Sequence, residues 1–298
     1  MLPTNKAKDY GYIEPKEFDR IVSTIQAICK ASGLLWWQPS EPSILAACED
    51  PETLLSYYEL STARVFPLQQ TNQMWLEYAL LSGIRERADM PGLYCLTESY
   101  RDEIKQAQRH KDRIINKRFN MFEIEQQGGY QKFIALFIDI LIALGVKSSH
   151  IEKVSYKKAC TLLKQDPESY ILTDADEVWL NQNVAPCVLL CFFPERTNPF
   201  WNMHMLHDGT AAKFDLILGG MECAGGAERS TDIPLQEKRF YTMPGYKERL
   251  YSEFGQDRVL KELDYYFSLL TPLSVRSGCG IGLSRLAVAL ERYKKQTK

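Results

Sequence analysis

The sequence predicts an α+β protein: one central antiparallel sheet with helices packed against it. Three observations point there. Apolar residues recur at helical spacing in several well-separated stretches. Between them lie short apolar or alternating runs that read as strands. Two of those runs are joined by a charged loop and not by a helix, which makes an antiparallel pair.

Pro15 opens the first helix. Phe18, Ile21, Val22, Ile25, Ile28 and Cys29 recur at helical spacing, and Gly33 ends it. Leu34, Leu35, Trp36 and Trp37 follow as a short strand stopped by Pro39. Two adjacent tryptophans are costly on the surface of a lone monomer, so this strand belongs in the core or at a subunit interface. Residues 40–70 read as irregular, with a strand at 65–68. Thr71 is placed to cap a helix that runs to Gly83 and carries Gln73, Trp75 and Glu77. A strand at 93–100 leads into Arg101, Asp102 and Glu103. The stretch 104–118 is thick with Lys, Arg and His110, and 119–125 is the return strand. Residues 130–144 are an apolar helix closed by Gly145, and 147–185 prolong it into a helical segment over 130–185. Strands follow at 187–193, 199–203 and 214–218. Val259, Leu260, Leu263, Tyr266, Phe267 and Leu270 mark a helix before the last strand–helix unit.

The composition is that of an ordinary globular protein: 298 residues, 45% hydrophobic and 25% charged, with net charge −2. That balance excludes a global electrostatic pull towards nucleic acid, though not a local basic patch. Eight cysteines are scattered with no CxxC pair and no histidine at zinc spacing, and read as buried thiols in a reducing compartment. The N-terminal stretch has no apolar core, and the window 133–146 is too short to span a bilayer and contains Asp139. A cytoplasmic protein without a membrane partner is expected.

Chemistry concentrates in three places. Residues 277–291, SGCGIGLSRLAVALE, alternate glycines at Gly278, Gly280 and Gly282 and then enter an apolar helix. Glycines let a backbone approach a ligand closely. Arg285 falls in the first turn, where the helix dipole disfavours a cation unless an anion lies in front of it. A Gly-rich turn with Arg285 in a salt bridge explains the same stretch equally well. The second place is the charged hairpin from Arg101 to Glu125, for which a solvated loop is the plain alternative. The third is the acid pair Asp215 and Glu222, followed by Arg229.

Taken in chain order, hairpin, acid pair with Arg229 and glycine strand, the three resemble the class II aminoacyl-tRNA synthetases. YRDE through FNMFEIE (100–125) is similar to the second signature of that family, and GCGIGLSRL (278–286) to the third. GLLWWQP (33–39) resembles a loose form of the first, the dimer-forming helix and strand that end in proline. The resemblance covers roughly residues 33–290. PFWNM (199–203), FDLILGGMECAGGAER (214–229) and TNQMWLE (71–77) look like the aspartyl, asparaginyl and lysyl branch. There the position of Arg229 reads the substrate side chain, and lysyl enzymes carry an acid. Arginine implies an acceptor-rich side chain, because guanidinium only donates. Glu77 beside it suits an amide: Arg229 donates to the C=O and Glu77 accepts from the NH2. The alternative is that Glu77 only neutralises Arg229.

The resemblance implies ATP-dependent activation of asparagine or aspartate as an aminoacyl adenylate. Arg101 would neutralise the α-phosphate, and Arg285, with Arg109 or His110, would meet the γ-phosphate. Glu103 and Phe119 would hold adenine. Gly282 belongs to the ATP-binding set, Asp215 and Glu222 would carry Mg²⁺, and Gln73 would help hold the α-amino group. The chain departs from the pattern in two ways. Eight residues separate His110 from Phe119, longer than is usual, and Arg118 replaces the family's acid. About fourteen residues precede the first helix, so 1–298 is expected to be a single catalytic domain with no anticodon-binding domain. The expected acceptor is therefore not tRNA but ammonia or another amine, as in the free-standing archaeal asparagine synthetases, whose G-x-x-W-x-x-P GLLWWQP resembles. A minimal asparaginyl- or aspartyl-tRNA ligase and an inactive synthetase-like binding module are the alternatives. A homodimer is expected through the first signature.

Overall fold

A computed structural model describes residues 13–45, 53–86, 89–102 and 118–297. Helix α1 (Pro15–Ala31) has Glu14 as its N-cap and proline in its first turn, and Gly33 follows with φ +80°. Strand β1 is Leu35–Trp36. A hairpin, β2 (Ser56–Glu59) and β3 (Arg64–Pro67), lies in a segment expected to be irregular apart from 65–68. Helix α2 (Gln73–Arg85) starts after Asn72, with the Gln73 N–H donating to the Thr71 hydroxyl at 3.0 Å. Strands β4 (Gly92–Tyr100) and β5 (Arg118–Gln127) form the predicted antiparallel pair, with Tyr100 opposite Arg118.

Helix α3 (Tyr130–Ala143) follows, then β6 (Ile151–Ser155), α4 (Tyr156–Leu162) and α5 (Asp174–Asn183). The expected helical segment 130–185 thus contains a sheet strand. Four of the five residues of IEKVS are exposed or half-buried and only Val154 is buried, so the stretch lacks a strand's apolar signal. Strands β7 (Cys187–Pro194), β8 (Thr210–Leu218) and β9 (Met221–Arg229) come next. The expected strand at 199–203 is absent: that stretch makes one isolated bridge, Met203 to Arg229. Helices α6 (Ile233–Thr242) and α7 (Tyr246–Phe254) precede α8 (Gln256–Leu269), β10 (Arg276–Gly282) and α9 (Leu283–Gln296).

Among the described residues eight strands make one sheet in the order β1-β4-β5-β10-β9-β8-β7-β6. Its centre is antiparallel, but β1 pairs parallel to β4 and β6 parallel to β7, so the sheet is mixed. The two faces differ because side chains alternate along a strand. Phe122, Ile124, Phe214, Leu216, Cys279 and Ile281 join the core under α1, α3 and α9. Glu123, Lys213, Asp215, Gly280 and Gly282 alternate with them and line a cavity on the other face. A second apolar cluster, including Trp201, Phe240, Tyr246 and Tyr266, supports α2, α7 and α8. On β1, Leu35 and Trp36 are 49% and 43% exposed. The seven described cysteines are buried free thiols. No helix among the described residues is long and apolar enough to cross a membrane.

Gly278 has no room for a side chain. A Cβ there would collide with the Glu125 carboxylate and the Ile124 carbonyl. Gly278→Ala should therefore cost about 3 kcal/mol by overpacking, read as a lowered urea midpoint; an unchanged midpoint would mean that β5 can yield at Glu125.

Candidate functional site

The cavity measures about 190 Å³. A single water needs only about 10–15 Å³ on that scale, so there is space for a ligand of many atoms. Helix α2 brings Gln73 and Glu77 to its wall, and Arg101, just past β4, faces it with Phe119 of β5. The Arg101 guanidinium lies 5.4 Å from the centre of the Phe119 ring. Strand β8 contributes Asp215, β9 contributes Glu222 and Arg229, and β10 with α9 contribute Gly282 and Arg285. Arg285 is the third residue of α9, in the first turn as the sequence predicts. Glu103, Arg109 and His110 lie outside the described residues.

At one end of the cavity four charges are buried together. Arg276 donates to Glu77 Oε2 through Nε at 2.9 Å and Nη2 at 2.6 Å. The Tyr266 hydroxyl donates to the same oxygen at 3.2 Å, and Asn202 Nδ2 donates to Oε1 at 2.9 Å. Arg229 Nε is only within ion-pair range of Oε1, at 3.6 Å. The main counter-ion of Glu77 is thus Arg276, which the sequence reading did not single out, and both Glu77 oxygens are engaged. Arg229 donates through Nη2 to Gln73 Oε1 at 2.7 Å and to Glu125 Oε2 at 3.3 Å. Gln73 Nε2 in turn donates to the Cys279 carbonyl at 2.8 Å. Gln73 is therefore a brace for Arg229.

Burial works against the charge on Arg229, but Glu125 and Glu77 beside it hold its pKa above the usual arginine value. Burial pushes the Glu125 carboxyl up to about 7, against the pull of Arg229 and with a push from Glu77. Burial also raises Glu123, although the Thr71 and Thr97 hydroxyls and the Asn72 N–H all donate to it.

At the other end Lys213 Nζ sits 2.8 Å from Asp215 Oδ2. Asp215 Oδ1 and Glu222 Oε1 both face the space beside Gly225, where a Cβ would come within 2.9 Å and 3.7 Å of them. Lys213 stands two residues before Asp215, hence on the same strand face, and that spacing was the signal for it. Asn202 lies inside PFWNM, whose resemblance carried no role for it. Arg276 directly precedes the stretch read as the glycine strand.

A family profile described as tRNA synthetases class II (D, K and N) matches residues 52–295. The chain belongs to this family. A search of curated proteins by sequence finds no match to this class II chain. Among solved structures, the asparaginyl-tRNA synthetase of Pyrococcus horikoshii with asparaginyl-adenylate matches with TM-score 0.70 and 16% identity, over 92% of this chain and 64% of that one. An aspartyl-tRNA synthetase of Entamoeba histolytica matches with TM-score 0.66 and 17% identity, over 92% and 54%. The asparaginyl-tRNA synthetase of the same organism, with asparaginyl-adenylate, gives 0.67 and 15%, over 92% and 63%. At such identities the likeness shows the class II fold, and this synthetase-family chain spans between 54% and 64% of the length of those proteins.

The raised pKa of Glu125 has a sign that can be tested. An acid whose pKa is higher folded than unfolded stabilises the fold fully below its unfolded value, here 4.5. That contribution is lost as pH rises through about 7. Glu125→Gln cannot titrate. The stability of E125Q relative to wild type should therefore increase between pH 4.5 and 7, by chemical denaturation; a difference flat with pH would refute the shift.

Proposed function

We propose that the protein activates asparagine or aspartate with ATP, forming an aminoacyl adenylate and pyrophosphate, and passes the acyl group to ammonia or another amine. The supporting observation is convergence. Arg101, Arg229 and Arg285, with Asp215 and Glu222, come from distant parts of the chain to one cavity wall. The adenylates named in the solved asparaginyl enzymes agree with that chemistry. The resemblance of GLLWWQP to the free-standing asparagine synthetases favours the amine acceptor over tRNA.

In this reading the substrate carboxylate oxygen attacks the α-phosphorus. The bond from that phosphorus to the oxygen bridging to the β-phosphate breaks, and pyrophosphate leaves with the electron pair. No acid–base pair is needed; positioning and charge stabilisation carry the step. Arg101 holds the α-phosphate, with Phe119 stacked on adenine beside it. Arg285 faces the γ-phosphate, and Gly282 keeps the approach open. Glu103, Arg109 and His110 complete the nucleotide contacts. Mg²⁺ suits the two carboxylates that face the space beside Gly225, as hard oxygen ligands. Bound there, it would neutralise charge on phosphate oxygens.

Arg229 reads the far end of the amino acid. Glu77 is already paired with Arg276 and lies within ion-pair range of Arg229, so a substrate carboxylate would add a second negative charge beside a buried acid. An amide adds none. Asn202 supports the same choice. Its Nδ2 is tied to Glu77, and its buried Oδ1, on the cavity wall, meets no donor among the described residues. An NH2 group would supply one. Glu77 then acts by positioning Arg229 and Asn202, and Glu77→Lys would bury three cations together and prevent folding.

Pyrophosphate exchange across the twenty amino acids should appear with asparagine and run about 10² faster than with aspartate. Exchange with aspartate alone would reverse the side-chain assignment and favour the ammonia-ligase reading, in which aspartate is the substrate and asparagine the product. Arg101→Ala and Arg285→Ala should each lower exchange by about 10² or more with folding intact; unaltered rates would remove both from the site. An amine other than tRNA should consume the adenylate, ammonia where aspartate is the amino acid activated, and tRNA aminoacylation would restore the minimal-ligase alternative. Light scattering should give a two-fold homodimer built on the exposed β1 edge; a monomer at micromolar concentration would contradict it.

A further inference from the structure

Asp215 has two oxygens in two different environments. Oδ2 receives the Lys213 ammonium at 2.8 Å. Oδ1 turns the other way, to the space left by Gly225, where Glu222 Oε1 also points. Lys213 is not a mobile surface chain. Its side chain is 19% exposed, and its Nζ rests 4.0 Å from the centre of the buried Phe193 ring. Strand register holds the pair in place: Lys213 lies opposite Ala227 and Asp215 opposite Gly225. Glu177 Oε2 accepts from the Glu222 N–H at 2.9 Å, yet among the described residues no three such groups are placed to hold a metal ion. A cation seated beside Gly225 would therefore meet, in Asp215, a carboxylate already paired to an ammonium.

We propose that Lys213 is a built-in counter-cation of the Asp215–Glu222 pair, so that nucleotide binding in this cavity depends only weakly on a divalent metal. The inference rests on the nucleotide reading above. The physical basis is short-range and electrostatic. A fixed positive charge a few ångströms from the acid pair repels a divalent cation and attracts phosphate. It does so without the dehydration that a hydrated Mg²⁺ ion must undergo to bind. An arginine at the same place would keep the charge; methionine would keep only the stem over Phe193.

The test compares wild type, Lys213→Met and Lys213→Arg in two titrations. One is calorimetry with ATP, in Mg²⁺ or in EDTA. The other is Mn²⁺ binding without nucleotide, followed by electron paramagnetic resonance. Removing metal should weaken ATP binding to wild type and K213R by less than about 10-fold, and to K213M by about 10² or more. Mn²⁺ alone should bind K213M at least about 10-fold more tightly than wild type, because the repelling charge is gone. Equal losses on chelation in wild type and K213M, or equal Mn²⁺ affinity, would overturn the role given to Lys213. ATP that fails to bind wild type even with Mg²⁺ would instead overturn the nucleotide reading, and the Mn²⁺ comparison would still decide whether Lys213 guards the acid pair.

Discussion

Four buried charges hold the molecule's functional half together. Glu77, Glu125, Arg229 and Arg276 are each at most 7% exposed at the side chain. They belong to α2, β5, β9 and β10, and Tyr266 of α8 closes the group through hydrogen bonds to Glu77 and Arg276. Burying one ion alone is costly, and removing one member of such a group strands its partner. The cluster therefore sets the distance between α2 and the sheet and fixes the direction of Arg229. The neutral ligand side chain proposed above would add no further charge to it.

The glycine strand serves this cluster as much as it serves a ligand. Gly280 and Gly282 line the cavity, as close approach to a ligand demands. Gly278 instead makes room for the Glu125 carboxylate. One alternating pattern thus has two uses along seven residues: space for a buried acid at one end and open backbone at the other. Gly226 on the neighbouring strand is of the first kind, since a Cβ there would press on the Gly278 carbonyl and the Phe214 ring.

The cavity is electrically divided. One end holds balanced arginines and glutamates, and the other holds two acids with a lysine between strand and ring. Arg101 and Arg285 add positive charge to the same wall. A ligand with several negative groups at one end and a neutral polar group at the other matches that division. The amide-bearing amino acid and nucleoside triphosphate proposed above would present such a charge pattern.

Much of this was determined by local sequence. Periodicity placed α1, α2, α3, α8 and α9, and alternation placed the central strands, because both signals depend only on near neighbours. Arg101, Phe119, Asp215, Glu222, Arg229 and Arg285, singled out from their motifs, all line the one cavity. The tertiary structure alone decided the rest. β6 has little apolar signal and is a strand because β7 offers it a ladder. The residues 199–203 are apolar enough for a strand, yet they pack as a turn around the buried Trp201. Glu77 found Arg276, 199 residues away, in preference to Arg229. Strand registry gave Lys213 its place on Asp215. Pairings of that kind depend on registry between distant segments, and the spacing of residues along the chain does not specify it.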